Sequence, residues 1–420
     1  MINLLKFNRH WNVGFRYEFP KTRKFIEILE QHIESRQIVE LTGLRRLGKT
    51  TLFLQVINTL LDRNVESQSI WYFSFDEDKY DLDELFTAFK TQTRKDFNSD
   101  KIFVFFDEIQ KLEGFQSQLK IYYDLYPNLK FFISGSTSLY IRKKTQESLA
   151  GRVFSFELKP LDFEEYLHFR NRDNYLDSPE MFHAELKVEF ENYLSRQFIE
   201  TVNVTDNSFV QEYVLGIIKK IVFEDIPIIF PVDNPEILYA IVKIVAENPG
   251  IYLHYENLAN DLKITSKTVS KYLSILEQAF VVKVLYNYSA NQLTSEKKLK
   301  RIYLSSSSFC PAVSGNMVDF QKTGLLVENA LLSLKPWQFF WRDAYNHEVD
   351  FIEINNNQVL PVEVKYKAKI RKSDLNNLYL FCKKFNLPKA VILINTIENQ
   401  TTEFKGLTIE MKPVFTAMVD

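Results

Sequence analysis

Short apolar runs alternate with segments of helical spacing along the amino-terminal part of the chain. The run at residues 102–106 is continuously apolar, as expected for a strand covered on both faces of a sheet. Runs of this kind predict strands at residues 37–42, 69–75, 102–106, 130–133 and 153–158. Helical spacing predicts helices at residues 51–61, 82–95 and 115–126. Strands that alternate with helices predict an α/β fold with a doubly wound parallel sheet.

The pattern becomes mostly helical over residues 181–246, with a break at residues 225–234 that holds two prolines. A short helix is predicted at residues 255–262, a second helix from Thr265, and a strand at residues 281–286. One face of the second helix is apolar; it comprises Val269, Tyr272, Leu273, Leu276 and Ala279. This order of elements is the outline of a winged helix-turn-helix, whose second helix can enter a DNA groove.

The free face of that second helix is weakly basic. It carries Lys267, Thr268, Ser270, Lys271 and Ser274. A basic cluster follows at Lys297, Lys298, Lys300 and Arg301, suited either to phosphate contacts or to solvent. DNA binding and a role as a protein contact or spacer therefore both remain open.

The carboxyl-terminal part predicts a helix at residues 324–334 and strands at 338–341, 348–354 and 359–365. The last two strands read as a hairpin around the three asparagines at 355–357. The fold class predicted for the whole chain is thus α/β: a P-loop sheet, then a helical and winged-helix region, then a mixed α/β domain.

Residues 43–50, GLRRLGKT, form a complete phosphate-binding loop between a predicted strand and a predicted helix. Only 11 of the 420 residues are glycine, so two at the required positions are informative. Backbone N–H groups there would cradle a polyphosphate, with Lys49 adding charge and Thr50 a hydroxyl ligand for Mg²⁺. The predicted nucleotide-binding residues are Gly43, Leu44, Arg45, Arg46, Leu47, Gly48, Lys49, Thr50, Thr51 and, on a later strand, Ser136.

An acidic pair, Asp107 and Glu108, ends the apolar run at residues 102–106. Beside a phosphate loop, Asp107 can anchor Mg²⁺ and Glu108 can polarise the attacking water as a general base. Ser136 follows a neighbouring strand and could sense the terminal phosphate, or it could be a turn residue. Arg152 could act as an arginine finger in its own chain or a neighbour's, or could simply be solvated.

A second group of candidate catalytic residues lies near the carboxyl end. Residues two apart on a strand share a face, so Glu363 and Lys365 point the same way. Asp350, separated from Glu363 by twelve residues, completes the PD-(D/E)XK arrangement of restriction-endonuclease-like folds, and Glu328 supplies a further acid. Asp350 and Glu363 could hold Mg²⁺ or Mn²⁺, with Lys365 beside the metal. The fold often persists without its chemistry, so cleavage remains open.

The composition of the chain bears on its binding partners and on the cellular compartment in which we expect it. A net charge of −2 provides no global attraction to nucleic acid, and the two cysteines, Cys310 and Cys382, fit a reducing cytosol. No signal-length apolar segment or run of 18 apolar residues is present, so we expect a cytoplasmic protein without a membrane partner.

The chain resembles bacterial and archaeal AAA-like ATPases that carry a carboxyl-terminal domain of unknown function with a restriction-endonuclease-like core. The resemblance is carried by GLRRLGKTT from Gly43, FFDEIQ from Phe105, ISGSTS from Ile133, LAGRV from Leu149, and the VDF…VEVK segment ending at Lys365. It is also carried by ELKPLDFEEYL from Glu157 and TVSKYLSILE from Thr268. The glycine-glycine turn usual in that family near residues 193–204 is absent.

The resemblance and the motifs predict four domains: an ATPase at 1–165, a helical linker at 166–240, a winged helix at 241–305 and a nuclease-like domain at 306–420. The predicted function is Mg²⁺-dependent ATP binding and hydrolysis that drives a switch or motor acting on nucleic acid, with DNA a possible partner. The alternative is a slow nucleotide-dependent scaffold that binds proteins, with an inactive nuclease-like domain. A finger supplied by a neighbour would require a homo-oligomer.

Overall fold

The computed structural model describes residues 2–76, 80–136, 149–290, 295, 299–315, 323–356 and 358–419. The chain divides into two compact units, residues 1–159 and 160–420. Within the described residues, none of the helices has the length and apolar character needed to cross a lipid bilayer.

The first unit contains a parallel sheet with the strand order β2-β3-β4-β1-β5, counted over its described residues. The strands are β1 (Ile38–Thr42), β2 (Ile70–Ser74), β3 (Ile102–Asp107), β4 (Leu129–Gly135) and β5 (Val153–Glu157). The helices are α1 (Ile26–Gln31), α2 (Lys49–Asp62), α3 (Leu82–Thr93) and α4 (Phe115–Leu125). The parallel α/β sheet predicted from the apolar runs is confirmed. Because the strands are parallel, the loops after β1, β3 and β4 meet at one edge.

Aromatic packing holds this sheet to its helices. Trp71 on β2 stacks on Phe89 of α3 with ring centroids 4.3 Å apart, and Phe105 on β3 stacks on Phe132 of β4 at 4.7 Å. Every residue of β3 is buried, as its continuous apolar run predicts. The acidic pair therefore lies at the end of a strand that is buried along its whole length.

The amino-terminal segment lines the outer edge of β2. The Asn8 side chain donates to the carbonyl of Tyr72 (3.1 Å) and accepts from its N–H (2.8 Å), as a neighbouring strand would. His10 and Trp11 both bond the carbonyl of Ile70 at 2.9 Å. These bonds satisfy backbone groups that an edge strand otherwise leaves open. We refer to residues 4–19 as the edge strap.

The second unit begins with helices. They are α5 (Phe163–Phe169), α6 (Asn174–Asp177), α7 (His183–Tyr193), α8 (Asn207–Lys220), α9 (Ile226–Ile229), α10 (Pro235–Glu247), α11 (Tyr255–Asp261) and α12 (Ser266–Gln278). The break predicted at residues 225–234 is partly wrong, because α9 lies inside it. Pro227 stands in the first turn of α9, where no backbone N–H is required.

One mixed sheet runs through the rest of this unit, with the described strands in the order β13-β14-β12-β11-β10-β9-β7-β8-β6. The strands are β6 (Ile251–Tyr252), β7 (Val282–Asn287), β8 (Lys300–Leu304), β9 (Phe339–Arg342), β10 (Glu348–Asn355), β11 (Gln358–Lys365), β12 (Lys389–Ile394), β13 (Gln400–Phe404) and β14 (Leu407–Pro413). The remaining helices are α13 (Phe309–Ser314), α14 (Thr323–Leu334) and α15 (Asn376–Phe385). Strands from the segments predicted as winged helix and as nuclease-like domain thus belong to one sheet.

The predicted hairpin is confirmed, since β10 and β11 pair antiparallel with Asn355 opposite Gln358. The helices predicted at residues 255–262 and from Thr265 correspond to α11 and α12. The Thr265 hydroxyl caps α12 by accepting from the N–H of Thr268 at 3.1 Å. Lys297 and Lys298 of the predicted basic cluster, Thr137 and Ser138 of the ISGSTS motif, and Asn357 of the hairpin turn lie outside the described residues.

Candidate nucleotide-binding site

The phosphate loop connects the end of β1 to the start of α2 and depends on two glycines with positive φ. Gly43 has a φ of 142°, and a Cβ placed on it would lie 2.3 Å from the carbonyl oxygen of Leu158. Gly48, at the start of α2, has a φ of 91°. Arg46 is also left-handed, with a φ of 63°. Alternating backbone conformations of this kind turn successive N–H groups toward one side, which forms an anion-binding concavity.

The side chains of the loop divide between the core and the surface. Leu44 and Leu47 are each 2 % exposed. Arg45 lies 3.9 Å from Asp76, which also pairs with Lys111. The buried side chains of Leu44 and Leu47 would leave only the backbone of these two residues to face a phosphate, whereas Arg45 carries a charged side chain that lies near Asp76.

Lys49 is buried and spans the loop. Its Nζ donates to the carbonyl oxygens of Gly43 (3.0 Å) and Leu44 (2.9 Å). The ammonium group is thus already inside the concavity where a phosphate would lie. Thr51 follows in the first turn of α2.

Thr50 and Asp107 form the part of the site that suits a metal. The Thr50 hydroxyl donates to Asp107 Oδ2 at 2.5 Å, which joins the first turn of α2 to the end of β3. Two more hydroxyls contact the same carboxylate: Tyr72 donates to Oδ2 at 3.0 Å, and Ser134 donates to Oδ1. Hydroxyl and carboxylate oxygens are the ligands that Mg²⁺ prefers, so these residues fit the metal that the loop implies.

Burial is the main influence on Asp107. It raises the pKa of this carboxyl, and the neighbouring charge of Glu108 raises it further, against hydrogen bonds from Ser134 and Thr50. Burial likewise raises the pKa of the Tyr72 phenol, helped by Asp107, so this hydroxyl keeps its proton and donates. A divalent cation near Asp107 would favour the charged form of this carboxyl and so oppose the effect of burial on its pKa.

Glu108 sits in a left-handed conformation, with a φ of 54°, and its side chain is held by two donors. Gln110 Nε2 donates to Glu108 Oε2 at 2.5 Å, and the Ser136 hydroxyl donates to the same oxygen at 3.0 Å. Gln110 also reaches Ser136 at 3.3 Å. The structure therefore brings the proposed base and the proposed phosphate sensor together, with Gln110 as a third member that the spacing argument missed.

A cavity of about 770 Å³ adjoins Thr50, Asp107 and Tyr72. The edge strap also lines the cavity, through Arg9, Tyr17 and Phe19 among others. Open space is thus available beside Thr50 and Asp107.

Whereas the phosphate loop lies at the carboxyl ends of the strands, Arg152 lies at their amino-terminal ends. Its carbonyl accepts from the N–H of Ile38, the first residue of β1, at 2.8 Å, whereas the phosphate loop follows the last residue of that strand. Its guanidinium pairs with Asp124 at 2.8 and 3.0 Å. This placement gives no support to a finger acting in its own chain.

The second group of candidate residues also comes together, in the second unit. Asp350 and Glu363 lie on adjacent strands, with the Asp350 N–H 3.4 Å from Glu363 Oε2, and Lys365 Nζ contacts Glu363 Oε1 at 2.6 Å. Burial, and then the charge of Asp350, raise the pKa of Glu363 to about 8. The fold thus assembles the carboxylate pair and lysine that the spacing singled out.

Arg301 occupies the centre of this acidic group. Its guanidinium lies 3.0 Å from Glu328, 3.1 Å from Glu348 and 3.7 Å from Asp350, and the residue is only 6 % exposed. We call Arg301, Glu328, Glu348, Asp350, Glu363 and Lys365 the Arg301 cluster. The surface basic cluster predicted around Arg301 is therefore wrong for this residue, which is buried among carboxylates.

The Arg301 cluster already contains two cations of its own. Among the described residues, no group of three or more histidine, cysteine, aspartate or glutamate side chains is arranged to hold a metal ion. The prediction of a second divalent metal at Asp350 and Glu363 is thus without support.

The exposed face of α12 carries Lys267, Ser270, Lys271 and Ser274, as the sequence predicts. Lys271 Nζ, however, donates to the carbonyl of Pro231 at 2.8 Å. Lys267 is therefore the more available of the two lysines for a phosphate.

Comparison with known families agrees with the amino-terminal site. Residues 35–167 match a family model described as "AAA domain". Residues 200–319 and 325–412 match models described as "Domain of unknown function", DUF8612 and DUF4143 respectively. The first match supports a P-loop ATPase domain with ATP binding and hydrolysis, and confirms that part of the resemblance. The winged-helix and nuclease-like parts of the resemblance stay predictions.

Two relatives that match most of the chain have names that state no activity. An uncharacterized protein of Haemophilus influenzae is 25% identical over 403 residues, 92% of this chain and 95% of that protein. An uncharacterized protein of Methanocaldococcus jannaschii is 24% identical over 346 residues, 75% of this chain and 72% of the relative. The solved structure of AMPPCP-bound DnaA from Aquifex aeolicus matches with a TM-score of 0.31 and 13% identity, over 63% of this chain and 90% of DnaA. So low a TM-score adds nothing on function.

Proposed function

We propose that this protein is a Mg²⁺-dependent ATPase whose catalytic residues are Lys49, Asp107 and Glu108. The observation that carries the proposal is the 2.5 Å contact between Thr50 Oγ1 and Asp107 Oδ2, directly beside the phosphate loop. Two hard oxygen atoms from separate elements, the first turn of α2 and the end of β3, meet there. That arrangement suits a magnesium ion bound together with a triphosphate.

Each residue has a distinct part in the proposed reaction. Thr50 and Asp107 would hold magnesium, which would supply positive charge against the phosphate oxygens. Lys49 exchanges its two backbone carbonyl contacts for phosphate oxygens, and the N–H groups of residues 43–48 hold the rest of the chain of phosphates. Glu108 accepts the proton of the attacking water once Gln110 and Ser136 release its Oε2.

Two substitutions separate binding from hydrolysis. We expect Lys49→Ala to abolish ATP binding, and Glu108→Gln to keep binding but lower the turnover rate by about 100-fold or more. Phosphate release measures the second effect, and calorimetric titration measures the first. Glu113→Gln, an exposed glutamate on the same loop, is the matched control and should hydrolyse ATP at the wild-type rate. Wild-type turnover in Glu108→Gln would refute the assignment of the base.

We further propose that hydrolysis changes the position of the second unit and acts on nucleic acid. The order α11, α12, β7 and β8, with β7 and β8 antiparallel, supports a winged-helix reading, and Lys267 on α12 is exposed. A DNA-binding titration over a range of salt concentrations, with and without ATP, tests this proposal. We expect Lys267→Ala to weaken binding and Lys219→Ala, an exposed lysine on α8, to leave it unchanged. Absence of binding at low salt favours the alternative, a nucleotide-dependent scaffold for proteins.

For the carboxyl-terminal group we propose that the nuclease-like site does not cleave. The supporting observation is that Arg301 lies among the carboxylates that a catalytic metal would need. Incubation with DNA and RNA in Mg²⁺ or Mn²⁺ should give no cleavage above that of Asp350→Ala. Metal-dependent cleavage that disappears in Asp350→Ala would overturn the proposal and establish a nuclease.

A homo-oligomer also belongs to the proposal, because Arg152 could act as a finger only on the phosphate loop of a neighbouring copy. Light scattering with and without ATP tests assembly. An Arg152→Ala variant that assembles normally but loses hydrolysis would support a finger supplied by the neighbour. Unchanged hydrolysis in this variant would remove Arg152 from the catalytic residues.

A further inference from the structure

The Asp107 carboxylate is held by a residue that no motif identifies. Tyr72 lies in the middle of β2, and its phenol hydroxyl donates to Asp107 Oδ2 at 3.0 Å. The same oxygen accepts from the Thr50 hydroxyl at 2.5 Å. The phenol is therefore in direct contact with the atom that the proposed function assigns to magnesium binding.

The position of Tyr72 is fixed from both sides of its strand. On the inner side Tyr72 pairs in register with Phe105 of β3, two residues before Asp107. On the outer side the Asn8 side chain bonds both the N–H (2.8 Å) and the carbonyl (3.1 Å) of Tyr72. Tyr72 is 7 % exposed, and both hydrogen-bonding groups of its backbone are satisfied by Asn8.

A cation bound beside Asp107 would affect the three hydroxyl groups that donate to this carboxylate differently. The Thr50 hydroxyl must turn a lone pair toward the metal, so it can no longer be relied on to orient Asp107. The Ser134 hydroxyl donates to the other oxygen, Oδ1. Tyr72 then remains as the side-chain donor on Oδ2, and a neutral phenol donates without adding a charge that would repel the metal.

We propose that Tyr72 is a positioning residue for divalent-metal binding, acting by holding Asp107 Oδ2 toward Thr50. The inference rests on the proposed ATPase function and deepens it. Donors that orient a metal ligand typically change metal affinity by about 10–100-fold when removed. The hydroxyl of Tyr72 is such a donor, supplied by the edge strand and its strap.

The test is metal binding measured directly. Tyr72→Phe removes one oxygen and keeps the ring. Mn²⁺ is titrated into the full chain with a non-hydrolysable ATP analogue, and the free ion is followed by electron paramagnetic resonance. We expect about a tenfold weaker Mn²⁺ affinity in Tyr72→Phe. The affinity for the analogue in the absence of metal should stay unchanged, a split that a general loss of structure would not produce.

A matched control and a second variant complete the design. Tyr122→Phe removes a hydroxyl that donates to the exposed Asp83 at 2.6 Å in the same unit, and should bind Mn²⁺ as the wild type does. Asn8→Ala keeps the phenol but releases the backbone of Tyr72, and should weaken Mn²⁺ binding in the same direction by a smaller factor. This second variant decides the question if Tyr72→Phe does not fold.

The outcomes separate this inference from the function on which it rests. If the wild type binds no Mn²⁺ with the nucleotide, the ATPase proposal itself fails. If the wild type binds Mn²⁺ and Tyr72→Phe binds it equally well, only the role of Tyr72 is overturned. Equal weakening of metal-free nucleotide binding and of Mn²⁺ binding would make Tyr72 a structural residue and would likewise overturn the inference.

Discussion

Replacing Arg301 by methionine removes the cation that three carboxylates of the second unit share. Arg301 is 6 % exposed, and its guanidinium lies within 3.0–3.7 Å of Glu328, Glu348 and Asp350. Methionine fills a similar volume but leaves the carboxylates without their shared cation. Removing one partner from a buried ionic group costs about 3–5 kcal/mol of unfolding free energy.

At 2–4 °C per kcal/mol, the usual sensitivity of a domain of this size, the melting temperature of Arg301→Met should fall by about 6–20 °C. Thermal unfolding followed by circular dichroism at pH 8 measures this loss. Arg342→Met is the matched control, because Arg342 approaches Glu348 only at 3.9 Å and is partly exposed. The control should lose no more than about 1 kcal/mol.

The pH dependence gives a second test with a definite sign. Burial raises the pKa of Glu328 to about 7, with a further rise from Asp350, and Arg301 opposes the shift. Burial also raises the pKa of Glu348 to about 7, again helped by Asp350. An unfolded glutamate has a pKa near 4.5, so between about pH 4.5 and 7 the folded state binds more protons, and stability rises as pH falls.

Without Arg301 these pKa values should be higher still, so protonation should relieve more of the repulsion in the variant. The stability deficit of Arg301→Met is therefore expected to shrink between pH 8 and pH 6. If Arg301→Met is as stable as the wild type at pH 8, or if its stability deficit grows as the pH is lowered, this account of the Arg301 cluster is refuted.

Three further predictions concern the first unit. Gly43→Ala should abolish ATP binding, because its Cβ would lie 2.3 Å from the Leu158 carbonyl oxygen; calorimetric titration measures the loss. Gln110→Ala should alter the turnover rate while ATP affinity stays within about twofold, since Gln110 donates to Glu108 and Ser136; phosphate release and titration together measure this. Burial lowers the pKa of His10 to about 4, so stability should fall by up to about 3 kcal/mol as the pH drops from 6.5 to 4, and His10→Gln should lose this dependence in urea unfolding.

Each of these has a control and an outcome that contradicts it. Gly216→Ala adds a Cβ with nothing within 4 Å and should leave ATP binding intact, so equal effects in both glycine variants would remove the steric argument. An unchanged turnover rate in Gln110→Ala would show that this amide does not control Glu108. His183→Gln changes an exposed histidine and should keep the wild-type acid sensitivity; if His10→Gln also keeps it, another group is responsible.

Local spacing was enough to predict the elements that carry the loop and the acidic pair. Gly43, Gly48, Lys49 and Thr50 lie in one strand-loop-helix segment, and Asp107 ends a run whose apolar character required a buried strand. Both predictions depend only on residues that are close in sequence, so they can be made without knowing the order of the strands in the sheet. The left-handed conformation of Arg46 left no such signal, because arginine has no special preference for it.

Contacts between distant segments could not be predicted in this way. Tyr72 and Ser134 reach Asp107 only because β2 and β4 flank β3, an order that the sequence does not state. Arg301 and Asp350 lie on strands of one sheet that joins segments predicted as separate domains, and Glu328 reaches Arg301 from α14. The position of Arg152 could have been predicted from the sequence. Arg152 directly precedes a parallel strand, so it lies at the amino-terminal ends of the strands, away from the loop that follows β1.

The most direct test of the account is a calorimetric titration of the folded full-length protein with ATP, with and without Mg²⁺. We predict saturable binding at one site per chain that strengthens with Mg²⁺ and disappears in Lys49→Ala. A folded wild-type protein that releases no heat of binding with ATP in either condition, and shows no thermal stabilisation by it, would contradict the central claim.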